Sequence, residues 1–162
     1  MKRIFSFFAC ILLVFSLCSC TESVNMGVLT EYQRGDFEAE LQIKIGGKES
    51  LCSLEKKSER LFLRLHGLDG FTFVLDESGA GIISGGTEIP LGYAPLSVRD
   101  VYLLFSTPVA GAWKIEKSNP GGVPVYVCSG DGITLYIDAC SHLPLKIIYG
   151  STEVNVLSFS VK

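Results

Sequence analysis

The sequence is short of most of what catalysis and nucleic-acid binding require. It holds 2 histidines in 162 residues and contains no Cys-x-x-Cys, no His-Glu-x-x-His and no Gly-x-Ser-x-Gly. Zinc, metalloprotease and serine-hydrolase chemistry therefore have no motif to stand on. The glycine-rich pieces Gly79-Ala80-Gly81, Gly85-Gly86 and Gly121-Gly122 lack the spacing and the strand-to-helix setting of a phosphate or dinucleotide loop, so they read as turns. No cofactor and no metal are expected. Positive charge is in deficit, with 14 Lys and Arg against 17 Asp and Glu, which argues against nucleic acid as a partner. No apolar run reaches the roughly 20 residues that a bilayer-spanning helix needs. Domain linkers, low-complexity tracts and repeats are missing too, so the chain reads as one domain.

What is present begins at the amino terminus. Lys2 and Arg3 precede the apolar run Ile4 to Leu17, which has the shape of a secretory signal. It closes with Leu17-Cys18-Ser19-Cys20, which resembles the bacterial lipobox: an aliphatic residue, a small residue one before the cut, then the cysteine that is lipidated. The resemblance implies cleavage after residue 19 and a diacylglyceryl thioether on Cys20, with further acylation by a palmitate-like chain. Two or more chains hold a protein stably at a membrane where one does not. The expected organisation is thus a signal peptide over 1–19, a lipidated tether and short helix over 20–35, and a single domain over 36–162. The expected location is the extracytoplasmic face of the cell envelope, either the outer face of the cytoplasmic membrane or the outer membrane, depending on the host. With 48% hydrophobic residues, the roughly 140 residues left after cleavage can bury about two thirds of their unfolded surface without metal or disulfide staples.

Past the tether, Val24, Val28 and Tyr32 recur every four residues up to Gly35, the pattern of a short amphipathic helix with a glycine stop. The period then changes. Phe37, Ala39, Leu41, Ile43 and Ile45 alternate with Glu38, Glu40, Gln42 and Lys44, a half-buried strand. Strand-like runs follow at 50–56, 60–66, 71–77, 81–84 and 87–91, separated by Gly, Ser or Asp clusters. Ser97-Val98-Arg99-Asp100 approximates a capping box, and Val98, Val101, Leu104 and Phe105 mark one face of a helix that Pro108 ends. Strands resume at 113–117, 123–129, 133–138, 143–149 and 152–161, with Asp131-Gly132 reading as a two-residue type I′ turn. About ten strands and two helices make the chain mainly β (α+β), with one strongly curved antiparallel sheet and the helices laid on it.

Several strands are apolar on both faces. Phe62 sits among Leu61, Leu63 and Leu65, Val74 between Phe73 and Leu75, Ile148 between Ile147 and Tyr149, while Leu157, Phe159 and Val161 oppose Val154 and Val156. Each such face must be covered by a helix, another sheet or a ligand. The order of Tyr32-Gln33-Arg34-Gly35-Asp36-Phe37, a long meander, a helix from Ser97, Leu143-Pro144-Leu145-Lys146-Ile147 and Glu153-Val154-Asn155-Val156 resembles the LolA/LolB-like lipoprotein carrier superfamily. That resemblance implies an unclosed eleven-strand half-barrel with the helices as a lid and an acyl chain or lipid in its apolar concavity. Phe62, Leu63, Phe73, Val74, Leu104, Phe105, Ile148 and Leu157 would then line the cavity, with the helix from Ser97 to Ser106 in the lid.

Two functional readings follow. One is a membrane-anchored lipoprotein that binds a lipid or an acylated polypeptide without catalysis. The other is a structural or protein-interaction lipoprotein with a filled core and no small ligand. Among side candidates, Asp138, Cys140 and His142 alternate and would share a side if the strand ran straight, but Pro144 close by favours a strand-to-loop change. Lys44, Lys48, Lys56, Lys57 and Arg60 form a basic cluster that could meet an anionic membrane, although interspersed Glu49, Glu55 and Glu59 favour a solvated strand face. Of Cys52, Cys128 and Cys140, the last two would lie about 16 Å apart along their hairpin at ~3.3 Å per residue. Any bridge therefore includes Cys52, and buried free thiols are the alternative.

Overall fold

The structure is a computed structural model that describes residues 24–91, 101, 102, 104–106 and 112–162. The expected signal peptide and Cys20, the expected capping box at 97–100 and Pro108 lie outside the described residues.

Strict alternation produces what it should at β1 (Phe37–Ile45), which buries Phe37, Ala39, Leu41 and Ile43 and half-buries Ile45. It is followed by β2 (Lys48–Lys57), β3 (Arg60–Leu65), β4 (Phe71–Asp76), β5 (Gly79–Ser84) and β6 (Thr87–Leu91). The second half supplies β7 (Lys114–Ser118), β8 (Val125–Gly130), β9 (Ile133–Asp138), β10 (Pro144–Tyr149) and β11 (Thr152–Val161). All eleven form one antiparallel sheet in the order β6-β5-β4-β3-β2-β1-β11-β10-β9-β8-β7. Two meanders therefore meet where β11 pairs with β1, and among the described residues β6 and β7 are the edges of an unclosed sheet. Asp131 and Gly132 adopt φ of 50° and 76° between β8 and β9, the backbone of a type I′ turn, and they set the register Gly130↔Ile133 and Cys128↔Leu135.

The amino-terminal helix is shorter than its period suggests. Met26–Leu29 forms one turn, capped by the Asn25 side chain on the Val28 amide at 3.1 Å, and a 3-10 turn follows at Glu31–Gln33. Between them Thr30 leaves helical geometry, and its hydroxyl donates to the Met26 carbonyl at 2.7 Å. Gly27, Val28 and Thr30 are poor helix formers, and a Thr hydroxyl competes for the backbone. Of the expected second helix, residues 101, 102 and 104–106 are helical.

Both helical segments pack on one face of the sheet, here called the inner face. Its buried centre includes Phe37, Leu41, Leu54, Leu61, Leu63, Ile137 and Ile147, joined by Leu29, Val101, Leu104 and Phe105. Phe37 stacks on Phe159 at 4.8 Å and meets Phe105 at 6.0 Å, contacts worth about 0.5–1.5 kcal/mol each beyond burial.

Candidate functional site

Register places the inner-face side chains in rows that run across the strands. One row is Phe37–Lys56–Leu61–Leu75–Ala80–Leu91, and the next is Ala39–Leu54–Leu63–Phe73–Ile82–Ile89. Both begin under the helical segments and end at the open β6 edge. Burial falls along the second: Leu63 is buried, Phe73 and Ile82 are half-buried, and Ile89 is 53% exposed. Phe71, exposed two residues before Phe73, and Leu68 in the preceding turn extend the apolar surface beyond the core.

The inner face also holds a polar group. Lys56 is only 3% exposed, and its ammonium donates to the Gln33 carbonyl on the 3-10 turn. Gln33 Nε2 donates to the Leu104 carbonyl at 3.2 Å, which ties the two helical segments together. The Tyr32 hydroxyl lies against the Gln33 side chain without a well-formed hydrogen bond. Neither that hydroxyl nor Gln33 Oε1 has a hydrogen-bond partner among the described residues. Burial pushes the Tyr32 phenol pKa up, so it stays neutral and able to donate.

The eight expected cavity residues do not share one surface. Leu63, Phe73, Leu104 and Phe105 are on the inner face. Phe62 and Val74 belong to the outer row Glu38–Glu55–Phe62–Val74–Gly81–Pro90, and Ile148 to the outer row Lys44–Glu153–Ile148–Thr134. Over the outer Phe62 the cover is local: the Arg60 guanidinium lies 5.7 Å from the Phe62 ring centre and bridges to Asp76 at 3.4 Å and Glu88 at 2.5 Å. Leu157 is 58% exposed because it sits in a β-bulge, with Ser158 opposite Glu40 and Val156 opposite Leu41. The extra residue turns the phase of β11 over, so Val154, Val156, Phe159 and Val161 pair with the inner-face residues Ile43, Leu41, Ala39 and Phe37.

Other sequence candidates resolve differently. Asp138 Oδ1 accepts from the Ser141 amide at 2.7 Å, the Cys140 amide at 3.0 Å and the Ser141 hydroxyl at 2.9 Å. These bonds lower its pKa and make it the organiser of a turn. Among the described residues no group of three or more His, Cys, Asp or Glu is arranged for a metal. Cys52 and Cys128 are buried free thiols and Cys140 an exposed one. The basic cluster is dispersed by pairing, Lys44 with Glu49 at 3.3 Å and Lys57 with Glu55 at 2.8 Å, while Lys56 turns inward.

A Ser-His-Glu group that the sequence reading passed over lies on the outer face. Ser53 Oγ is 3.1 Å from His66 Nε2, and Glu40 Oε2 is 3.4 Å from the same nitrogen. A catalytic relay needs the acid on the other ring nitrogen, so this group does not activate Ser53. It lies where two outer grooves of about 380 Å³ and about 490 Å³ meet, both lined by Ser53 and Arg64. Tyr32, Gln33 and Lys56 were missed as well. Lys56 was findable, because it keeps the parity of the apolar Cys52 and Leu54.

These features define an unclosed antiparallel half-barrel that carries its apolar face under short helical segments, as the LolA-like resemblance implied. Solved structures share that fold. An uncharacterized conserved protein from Thermus thermophilus superposes with a TM-score of 0.53 at 14% identity, over 85% of each chain. MucB superposes with a TM-score of 0.52 at 18% identity, over 84% of this chain and 57% of the MucB chain. This chain therefore spans little more than half of MucB. No protein-family model and no curated protein matches the sequence.

Proposed function

We propose that this protein is an extracytoplasmic lipoprotein, tethered by an acylated Cys20, that binds a lipid or an acylated polypeptide on the inner face of its half-barrel without catalysis. The observation that carries this reading is the apolar row Leu63–Phe73–Ile82–Ile89, which leaves the core and grows more exposed strand by strand, from the buried Leu63 to Ile89 at 53% exposure on β6. An apolar surface continuous with a core gains about 25 cal/mol for each Å² that a ligand covers, whereas the same side chains left in water gain nothing. The half-barrel with short helical segments on its apolar face supports a carrier over an enzyme, since the Ser53–His66 pair lacks a relay.

The test is native mass spectrometry of the protein purified without detergent, before and after adding palmitoyl-oleoyl phosphatidylglycerol. Binding is expected, with an affinity at least tenfold lower in Ile89→Asp, a half-exposed position whose replacement leaves the core intact. Membrane fractionation should show the wild type in the membrane and Cys20→Ser released. A second reading, a protein-interaction lipoprotein, is favoured by how tightly Phe37, Leu61 and Phe105 fill the centre. A clean mass with no lipid adduct would select it.

A further inference from the structure

We infer that the outer face of the sheet carries a second binding site, a groove for a neutral saccharide chain, which stands apart from the lipid reading of the inner face. Two grooves of about 380 Å³ and about 490 Å³ adjoin there, and Ser53 and Arg64 line both. Register explains the lining. One row across the strands is Ser158–Glu40–Ser53–Arg64, and the next is Ser160–Glu38–Glu55–Phe62. Each row crosses three strand steps, about 14 Å at ~4.8 Å per step.

The bulge in β11 builds one side of this groove. Val154 and Val156 pair with inner-face residues of β1, so an unbroken alternation would send Ser158 and Ser160 to the inner face too and turn Phe159 outward. The extra residue, Leu157, reverses that phase: Phe159 packs against the core, and both serines line the outer groove. At the far end the wall is largely backbone, supplied by Gly67 and Gly70 of one turn and by Gly85 and Gly86 of the next.

Hydrogen-bond capacity is dense in the groove, and its charges are matched. Glu38 pairs with Lys162 at 2.5 Å, Glu55 with Lys57 at 2.8 Å and with Lys162 at 3.1 Å, and Glu40 lies 3.4 Å from His66 Nε2. Arg64 approaches Glu55 only at 3.9 Å with its side chain 60% exposed, which leaves most of its five N–H donors for a ligand. An anion entering here meets three carboxylates, and a cation meets Lys57, Lys162 and Arg64, so a net charge of either sign is opposed. A sugar hydroxyl carries no charge and both donates and accepts. Neighbouring hydroxyls on one ring can donate to Glu40 or Glu38, whose paired carboxylates keep lone pairs, and accept from Arg64 or Ser53. Phe62, half-buried in the same groove, offers an apolar surface to the C–H face of the ring.

Isothermal titration calorimetry of the full-length protein at pH 6 compares two neutral probes, chitotetraose and cellotetraose, with tetragalacturonate as the anion and fully N-deacetylated chitotetraose as the cation. The two neutral probes separate an N-acetylhexosamine chain from a plain hexose chain. The expected result is that one of them binds at least tenfold tighter than either charged probe, that Arg64→Ala weakens it at least tenfold with an unchanged melting curve, and that Ile89→Asp on the inner face leaves it unaltered. A charged probe that binds as tightly as the neutral ones, or no binding by any of the four, would overturn the site, and both comparisons use the wild type alone. So would a neutral probe that Arg64→Ala binds as well as the wild type does, or that Ile89→Asp releases. Lipid binding is read separately with phosphatidylglycerol, so either proposal can fail while the other stands.

Discussion

Trp113, the single tryptophan of the chain, lies over Gly130, and that approach makes Gly130→Ala an informative change. A methyl group at Gly130 would stand 2.9 Å from Trp113 Cδ2 and 3.0 Å from Cε2, closer than carbon atoms pack. Gly130 is not among the glycines with positive φ, so its backbone accepts alanine and the conflict is steric alone. Overpacking of this kind costs about 1–3 kcal/mol, and removing a strand glycine returns roughly 0.5–1 kcal/mol. The net is a destabilisation centred on about 1 kcal/mol, with an upper end of about 2.5 kcal/mol, and the central value lowers Tm by roughly 2–4 °C for a domain of this size. The indole must swing outward from a half-buried position, so its emission should shift to the red. Fluorescence-monitored urea unfolding reads the emission and the stability together, and Trp113→Leu in the same background should relieve most of the cost. An alanine variant as stable as the wild type, with unshifted emission, would refute the packing argument.

Two further expectations concern titration and thiol chemistry. The Glu55 carboxyl is held at a pKa of about 2 by its hydrogen bond from Lys57 and by Lys162, against about 4.5 when free. A depressed folded-state pKa contributes stability that is full above pH 4.5 and is lost as pH falls toward 2. Melting curves between those limits should therefore fall less steeply for Glu55→Gln than for the wild type, and parallel curves would contradict the pairing. Burial pushes the Cys52 thiol to about 12 and the Cys128 thiol to about 11, while Cys140 is exposed. At pH 8, Cys140 should be alkylated within minutes, and Cys52 and Cys128 only on unfolding. Peptide mapping after an alkylation pulse checks this, and equal labelling of the three in the folded protein would show the thiols to be open.

Most of the strands could be read from the sequence because their cause is local. Alternation in Phe37–Ile45 and the glycine or Asp-Gly turns set each hairpin by bonds within a few residues, and the observed registers at Asp131-Gly132 follow. The candidate site was less legible. Leu157 and Val156 read as opposed faces, but a bulge is a relation between two strands, and nothing in β11 alone says that β1 skips a residue there.

The sequence by itself determined the repeating unit: short antiparallel strands joined by tight turns, apolar on alternate positions, behind a segment that resembles a lipoprotein signal. Tertiary structure decided the rest. Pairing of β1 with β11 joins residues more than a hundred positions apart and fixes which parity faces the core. Packing of the Glu31–Gln33 turn over β2 is what buries Lys56, a residue that in an isolated hairpin would be solvated. Local periodicity specifies a side chain's direction relative to its neighbours. Whether that direction leads to water, to a core or to a ligand depends on contacts between segments far apart in the chain.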